Sequence, residues 1–308
     1  MVNDGKEKFD LYKIDTKEKI DKKKILLVIL ILLSIICLFL IGKNVNNAIK
    51  NYQVYKKYEA QILTLKQADV ERQKQEAEIK EKEKQAKLPK LTDVGKENMK
   101  HIYSSDEKRA FLTFDDGPSA VTTKILDTLK QANVKATFFV LGSNVAERPE
   151  LVKQMYDEGH YVANHGYSHV YSQIYSSPEA VLNEYNQCND EIKKALGVPE
   201  YNSHLFRFPG GLAGGKYADI KAQAKDLLDQ NDIAHVDWNA LNGDAETNKL
   251  STEFELSRLN ETIENKNSVV LLMHDSPAKS VTADTLPQII ETLKNQGYKF
   301  ENFYEIIK

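Results

Sequence analysis

Cysteine is nearly absent from this sequence. Of its two cysteines, Cys37 lies within a long apolar run and Cys188 is the only one outside it. No intrachain disulfide can therefore form after the run, and the segment that follows has to be stabilised by a packed core. Cys188 falls within a helical pattern, and we expect it to be a buried or half-buried apolar residue.

The sequence also lacks a strong excess of charge. Its formal net charge is −3, which gives no reason to expect a nucleic-acid partner. Residues 25–41 contain no charge at all, and as a helix they would span about 25 Å, enough to cross a membrane. Because Lys22–Lys24 directly precede this run, the amino terminus is expected to stay in the cytoplasm and the chain after Lys43 to face outwards.

Signals for processing of the apolar run are missing. Its end, Ile41-Gly42-Lys43-Asn44, has no Ala-x-Ala-like cleavage site, and Ile36 stands where a lipid-modified Cys37 would need a small residue. The run is too long and uniformly apolar for a buried core helix. An uncleaved, single-pass anchor over 25–42, after a cytoplasmic basic tail of residues 1–24, is therefore favoured over these alternatives.

Glycine and proline are missing from about Asn51 to Lys87, a segment rich in Lys, Glu and Gln. Acid-before-base pairs four residues apart, such as Glu76 and Lys80, support a helix. Apolar residues fit only two heptads, fewer than a convincing coiled coil has. A solvated helical stalk is favoured, with weak self-association through it as the alternative. Residues 88 to about 105 are predicted to be a linker, so that stalk and linker together occupy 43–104.

From residue 105 to 308, short apolar runs alternate with amphipathic stretches. This alternation is typical of repeated βα units and a parallel sheet, and seven strands in strict order favour a barrel, although periodicity alone does not exclude an open sheet. The predicted strands are 109–114, 136–140, 160–163, 204–208, 234–239, 268–273 and 298–300. The predicted helices are 119–132, 144–158, 178–196, 217–230, 251–264 and 284–296.

Residues able to carry chemistry follow the predicted strands. In a parallel α/β arrangement, functional side chains cluster just beyond the carboxyl ends of the strands. These positions hold Asp115 and Asp116 after the first strand, His165 and His169 after the third, Arg207 at the end of the fourth, Asp244 after the fifth, and His274 and Asp275 after the sixth.

The two histidines after the third strand predict a metal site. His165 and His169 are four residues apart, so a helical turn or a tight loop can direct both rings at one ion. With one carboxylate of the Asp115-Asp116 pair they would form a hydrolytic site suited to zinc or another borderline divalent ion. The other aspartate is then free to act as a base, and Arg207 is expected to pair with it and keep it ionised.

His274 follows the uncharged run 268–273 and is suited to protonating a leaving group. Asp244 is expected to orient its ring and raise its pKa, with Asp275 and Asp237 as rivals for that role. The remaining histidines have no comparable group of functional residues near them in the sequence. Packing or surface roles are therefore expected for His101, His160, His204 and His235.

The motifs, in this order, resemble the polysaccharide deacetylases with the NodB homology domain, carbohydrate esterase family 4 (CE4). Thr113–Gly117 matches the family's first motif, Thr-Phe-Asp-Asp-Gly, and the resemblance covers about residues 105–308. It implies a distorted (β/α) barrel of about seven parallel strands. The later motifs are matched by His165 and His169, by Arg207, Pro209 and Gly211, by Asp244 without the usual tryptophan after it, and by Leu272 and His274.

The resemblance also implies a role for each matched residue. Asp115 would be the general base, held by Arg207, and His274 the general acid, oriented by Asp244, while the N–H of Gly210 would donate to the oxyanion. A divalent ion, zinc in the first place with cobalt, nickel or manganese as alternatives, would be bound by Asp116, His165 and His169. The substrate-binding residues implied are Phe208, Pro209, Leu272 and Tyr167.

Two positions depart from the family pattern. Gly166 replaces the hydroxyl residue that usually follows the first histidine of the second motif, and the loop is expected to be looser as a result. Gly210 stands where the family often has an aromatic residue, so one wall of the sugar groove is expected to be missing.

The activity implied is metal-dependent removal of N-acetyl groups from a glycan, with release of acetate. An exterior enzyme on a stalk, anchored without disulfides, fits a bacterial envelope, which favours N-acetylglucosamine of peptidoglycan and predicts resistance of the wall to lysozyme. N-acetylmuramic acid, another N-acetylglucosamine polymer and an O-acetylated polysaccharide remain alternatives. A non-catalytic glycan-binding scaffold is the competing class, and it predicts damage at the catalytic positions, which the sequence does not have.

Overall fold

The computed structural model describes residues 22–86 and 88–308, and it divides into two compact units between Glu81 and Lys82. Helix α1 (Lys22–Ala86) runs without a break for 65 residues, which confirms a helical stalk. Within the described residues it holds the one segment that can cross a membrane by length and composition, with a mean hydropathy of 3.4 over 18 residues. A membrane anchor and a secretion signal share these properties. Residues 1–21 of the predicted tail lie outside the described residues.

The second unit alternates strands and helices. The strands are β1 (Arg109–Asp115), β2 (Thr137–Val140), β3 (Tyr161–Asn164), β4 (Leu205–Phe206), β5 (Ala234–His235), β6 (Ala240–Leu241), β7 (Ser268–His274) and β8 (Lys299–Glu301). The helices are α2 (Asp93–Lys100), α3 (Ala120–Ala132), α4 (Gly142–Glu147), α5 (Pro149–Asp157), α6 (Tyr171–Ile174), α7 (Pro178–Leu196), α8 (Ala218–Gln230), α9 (Thr252–Ile263), α10 (Ser280–Asn295) and α11 (Tyr304–Ile307).

The strands pair in the order β5-β4-β3-β2-β1-β7-β6, and every pair is parallel. β8 lies against the first half of β1. The order begins with β5 and ends with β6, which are consecutive in the chain, so in the described part of the chain the barrel stays open between them. The predicted distorted barrel of parallel strands is thereby confirmed, with β6 as a short strand that the pattern does not predict.

Alternate side chains of the strands enter two different cores. On β1, Leu112 and Phe114 pack outwards with the helices, whereas Phe111 belongs to a second cluster with residues of the same parity on other strands. That second cluster fills the interior of the barrel. Because successive side chains of a strand point to opposite faces, parity decides which strand-end residues face the interior.

Several boundaries differ from the sequence-based expectation, and two of these differences change which helices form. The predicted helix 144–158 is interrupted at Arg148, because Pro149 has no N–H to donate and disfavours helical backbone at the residue before it. The predicted linker contains α2, whose Gly95 packs directly on the backbone of Ile307 in α11. The N–H of Thr92 donates to Ile307 O at 2.9 Å. Residues 92–102 therefore belong to the barrel and close its lower end together with α11.

Candidate active site

The central strands bring two predicted residues side by side. In the β1–β7 ladder Asp115 is the register partner of His274, and both have the parity that faces the barrel interior. Leu272 has the same parity one step below His274, and only a small part of its side chain is exposed. The carboxyl ends of β1 and β7 therefore form one corner of a site at the upper end of the barrel.

Asp115 and Asp116 point in different directions because their backbones differ. Asp115 is the last residue of β1, whereas Asp116 has a φ of 71°, in the left-handed region that residues with a side chain rarely adopt. His169 also lies in this region, with a φ of 55°. Unfavourable backbone of this kind persists where the surrounding structure holds it, and it is common at functional sites.

Asp116, His165 and His169 form a cluster with the composition of a metal site. Their ligand atoms all lie within 4.8 Å of one another. Oδ1 of Asp116 is 3.5 Å from Nε2 of His165 and 3.4 Å from Nε2 of His169. This oxygen is buried and accepts no hydrogen bond within the described part of the chain, a costly state that an ion at the centre of the cluster would relieve. The three residues therefore fit one divalent cation.

The tautomer of His165 suits a metal ligand. Its Nδ1 is 2.8 Å from the carbonyl oxygen of Arg207. Since a carbonyl oxygen can only accept, Nδ1 carries the hydrogen, and the lone pair of Nε2 is left facing Asp116. Burial lowers the pKa of His165 to about 3, so the ring is neutral at pH 7 and able to bind a cation.

Arg207 is fully buried and fixes Asp115. Its Nη1 donates to Asp115 Oδ1 at 2.9 Å and to Thr113 Oγ1 at 2.7 Å, and its remaining nitrogens donate to the carbonyl oxygens of Val236 and Asp237. The expected pairing of Arg207 with Asp115 is therefore present. Burial nevertheless raises the pKa of Asp115 above its ordinary value, against the lowering effect of Arg207. A raised pKa makes a carboxylate a stronger base near neutral pH.

Of the three rivals, Asp244 is the partner of His274. Its Oδ1 lies 2.7 Å from Nδ1 of His274, and its Oδ2 accepts from the His274 N–H at 2.8 Å. Asp237 accepts instead from the N–H of Leu212, and Asp275 from Thr122. Burial lowers the pKa of His274, but the hydrogen bond and charge of Asp244, with smaller contributions from other aspartates, outweigh it and raise that pKa to about 9.

The pKa of His274 gives a prediction for the pH dependence of activity. A general acid is active when protonated, so activity is lost as the pH rises through its pKa. Asp244→Asn removes the charge that raises this pKa, and we expect the alkaline limb of kcat against pH to move towards neutrality by at least about one pH unit. Both proteins are compared with the same metal content, so that an ion near Asp116 affects them equally. An unchanged alkaline limb would contradict this role for Asp244.

Two of the predicted substrate-binding residues, Phe208 and Pro209, are buried below the surface of the site. Phe208 has no exposed surface and packs in the outer core against Phe206, because its parity is opposite to that of Arg207. It therefore supports the loop from below and cannot line a sugar site, contrary to the prediction. Pro209 is also buried, and its carbonyl oxygen accepts from Tyr175 Oη at 2.7 Å. Tyr167 lies within the His165–His169 loop and is half-buried.

The two departures from the family pattern are compensated in the structure. Gly166 has a φ of 87°, so glycine suits the backbone there, and the loop around it is held by other bonds rather than loosened. A Cβ placed on Gly210 would lie 2.6 Å from Tyr171 Oη. The space beside Gly210 is therefore occupied by the side chain of Tyr171 from α6.

Glu184 on α7 holds the histidine loop, a role that we do not predict from the sequence. Its Oε2 accepts from the N–H groups of Tyr167 and Ser168 at 2.6 and 2.7 Å, and its Oε1 accepts from Ser168 Oγ at 2.7 Å. The side chain is almost completely buried. A signal for it exists in the sequence, since Glu184 is the one acidic residue on the apolar stripe of Val181, Tyr185 and Cys188.

We expect Glu184→Ala to destabilise the histidine loop. Loss of the acceptor leaves buried N–H groups unpaired, which costs about 1–3 kcal/mol. Since supporting groups around metal ligands affect binding by about 10–100-fold, zinc affinity should fall within that range. Glu184→Gln is the matched control, because its amide oxygen retains the backbone hydrogen bonds. Thermal unfolding and zinc titration of both variants are the measurements, and equal losses in both would contradict this role.

The second unit is similar to known proteins of one family. The sequence model of the polysaccharide deacetylase family matches residues 103–227. The chain is 33% identical over 220 residues to a peptidoglycan-N-acetylglucosamine deacetylase of Bacillus cereus, covering 70% of this chain and 77% of that protein.

Two solved structures resemble the second unit. The catalytic domain of a peptidoglycan N-acetylglucosamine deacetylase from Eubacterium rectale matches with a TM-score of 0.60 and 33% identity, over 65% of this chain and 90% of that one. A CE4 esterase of Streptococcus mutans matches with a TM-score of 0.62 and 31% identity, over 69% and 92% of the two chains.

Proposed function

Because the chain belongs to the polysaccharide deacetylase family CE4, we propose that it is a metal-dependent deacetylase that hydrolyses N-acetyl groups of N-acetylglucosamine in peptidoglycan. The observation that carries this proposal is the joint placement of a two-histidine, one-aspartate cluster, a buried Asp115–Arg207 pair and a His274–Asp244 pair at one end of the barrel. A glycan-binding scaffold without activity would not need all three. The substrate assignment rests on the names of the similar proteins from Bacillus cereus and Eubacterium rectale, which describe them as peptidoglycan N-acetylglucosamine deacetylases.

The proposed site assigns a step to each group. Asp116, His165 and His169 would hold a divalent ion, zinc in the first place, which when bound would supply polarisation of the acetamide carbonyl and acidification of water. Asp115 accepts the proton of the attacking water, with Arg207 fixing its carboxylate. The N–H of Gly210 donates to the oxygen that gains negative charge. The C–N bond then breaks, giving acetate and the free amine of the sugar.

His274 completes the reaction by donating a proton to the departing nitrogen. Asp244 holds Nδ1 of the ring, so that Nε2 is the donor. The interior position of Leu272 suits the methyl group of the acetyl unit, because its side chain is apolar and lies two residues before His274 on β7. The acid and the base thus come from the neighbouring strands β7 and β1.

The location is also part of the proposal. The apolar part of α1 would anchor the chain in the cell membrane with the amino terminus in the cytoplasm and the catalytic unit facing the cell wall. Such a position supports peptidoglycan as the substrate, since it is the acetylated polymer nearest to an outward-facing enzyme. Removing the N-acetyl groups should make the wall resistant to lysozyme.

The test is acetate release by the full chain, purified in detergent with zinc, from isolated peptidoglycan. We expect acetate, and we expect mass spectrometry of the muropeptides to show an acetyl group lost from N-acetylglucosamine. Loss from N-acetylmuramic acid or from an O-acetyl group would redirect the substrate assignment. No acetate from peptidoglycan or from oligomers of N-acetylglucosamine would refute the activity.

A further inference from the structure

Tyr171 lies at the candidate metal site without belonging to it. It is the first residue of α6, and its ring centroid is 5.5 Å from that of His169 and 5.6 Å from that of Tyr175. The angles between the ring planes are 60° and 73°, so two aromatic edges support the ring. Even so, 40% of Tyr171 is exposed. Supported from two sides, the residue keeps part of its surface open to a ligand.

The hydroxyl group of Tyr171 reaches the loop after β4. A Cβ on Gly210 would lie 2.6 Å from Tyr171 Oη, so the phenol end stands directly over this backbone. Gly210 is exposed and has a φ of 73°. The space that a side chain at position 210 would fill is therefore taken by a side chain from another part of the chain.

The hydroxyl group of Tyr171 forms no hydrogen bond with any described residue, unlike that of its neighbour Tyr175, which donates to Pro209 O. A phenol is protonated at neutral pH and is both donor and acceptor. Aromatic residues that pair an apolar face with a polar end are typical of ligand sites. The hydroxyl group of Tyr171 is therefore not engaged by the described part of the protein, and it stands beside the loop that carries the proposed oxyanion donor.

We propose that Tyr171 is a substrate-binding residue that forms one wall of the sugar site, packing its ring on the sugar that carries the acetamide and donating its hydroxyl hydrogen to an oxygen of that sugar. The inference rests on the proposed function. It assigns to α6 a contact that position 210 cannot make, because glycine has no side chain. Tyr171 acts on binding rather than on the chemical step, since it holds neither the cation nor the transferred proton.

The experiment compares Tyr171→Ala and Tyr171→Phe with the unaltered full chain in detergent and zinc, using the tetramer of N-acetylglucosamine as substrate. We expect Tyr171→Ala to raise KM about tenfold while kcat stays within about threefold, because the lost contacts serve the bound sugar. Tyr171→Phe lacks only one hydrogen bond and should raise KM about threefold. Val170→Ala, at an equally exposed neighbouring position, is the control and should leave both constants unchanged.

A second readout does not depend on turnover. In an Asp115→Asn background, calorimetry should show about tenfold weaker binding of the tetramer when Tyr171→Ala is added. A tyrosine with a merely structural role would lower the unfolding midpoint and leave KM and this affinity unchanged, which would overturn the inference. A fall in kcat at constant KM would also overturn it. If Tyr171→Phe and the unaltered chain had equal kcat and KM, the proposed hydrogen bond from the Tyr171 hydroxyl group to the sugar would be refuted. If the unaltered chain releases no acetate, the proposed function fails instead.

Discussion

Replacing Asp115 with asparagine is expected to lower kcat for acetate release by about 10²–10⁴-fold, the contribution of a positioned acid or base. Asparagine has nearly the same shape as aspartate but cannot take up the proton of the attacking water. Asp115 is suited to this proton transfer because burial raises its pKa while Arg207 keeps its oxygen in place. KM should change little, since the carboxylate acts on the water and not on the sugar.

The same substitution removes the negative partner of a fully buried guanidinium, so folding has to be measured as well. Breaking a buried ion pair by removing one partner costs about 3–5 kcal/mol. Activity is therefore compared well below the unfolding midpoint of the variant, with zinc content verified. Asp275→Asn is the matched control, because Asp275 is equally buried one residue after His274 but has the outward parity. Equal losses of kcat in the two variants would contradict a specific role for Asp115.

Removing the divalent ion is expected to lower the rate by at least about a thousandfold, because a Lewis acid at a carbonyl contributes several kcal/mol. The protein is stripped with a chelator, its metal content is measured, and zinc, cobalt, nickel or manganese is returned in turn. The rate should recover with at least one of them. A protein shown to be free of metal that retains a tenth of its rate would refute the metal-dependent mechanism.

His165→Ala tests the same metal site by removing one of the proposed ligands instead of the ion. His165 is buried, and its Nδ1 is committed to the carbonyl oxygen of Arg207, which leaves Nε2 for the cation. We expect zinc affinity to fall by more than about tenfold and activity to follow it. His101→Ala, which removes an exposed histidine directly after α2, is the control and should change neither quantity.

The strand ends are the part of the site that the sequence predicts well. Asp115, His165, Arg207 and His274 follow apolar runs, and parallel strands bring their carboxyl ends to one edge. The prediction for Phe208 is wrong for a reason that is also visible in the sequence. Phe208 follows Arg207 directly, so if one side chain faces the interior the other faces the helices.

Other features could not be predicted because they depend on contacts between distant parts of the chain. Tyr171 and Gly210 are 39 positions apart by their numbering, and no local pattern indicates that one fills the space beside the other. β6 has two residues, too few for any periodicity. The left-handed backbone of Asp116 is not indicated by the sequence, although aspartate tolerates this region better than most residues with a side chain.

The filling of the lower end of the barrel by α11 has a consequence for biosynthesis. Phe303, Ile306 and Ile307 complete the interior core around Phe111 and Val270. A chain emerging from the ribosome or from a translocation channel has all of its strands available before these residues arrive. The hydrophobic interior thus stays accessible to water and to chaperones until residue 307 has emerged. Premature termination a few codons earlier would yield a chain with every catalytic group and no completed core.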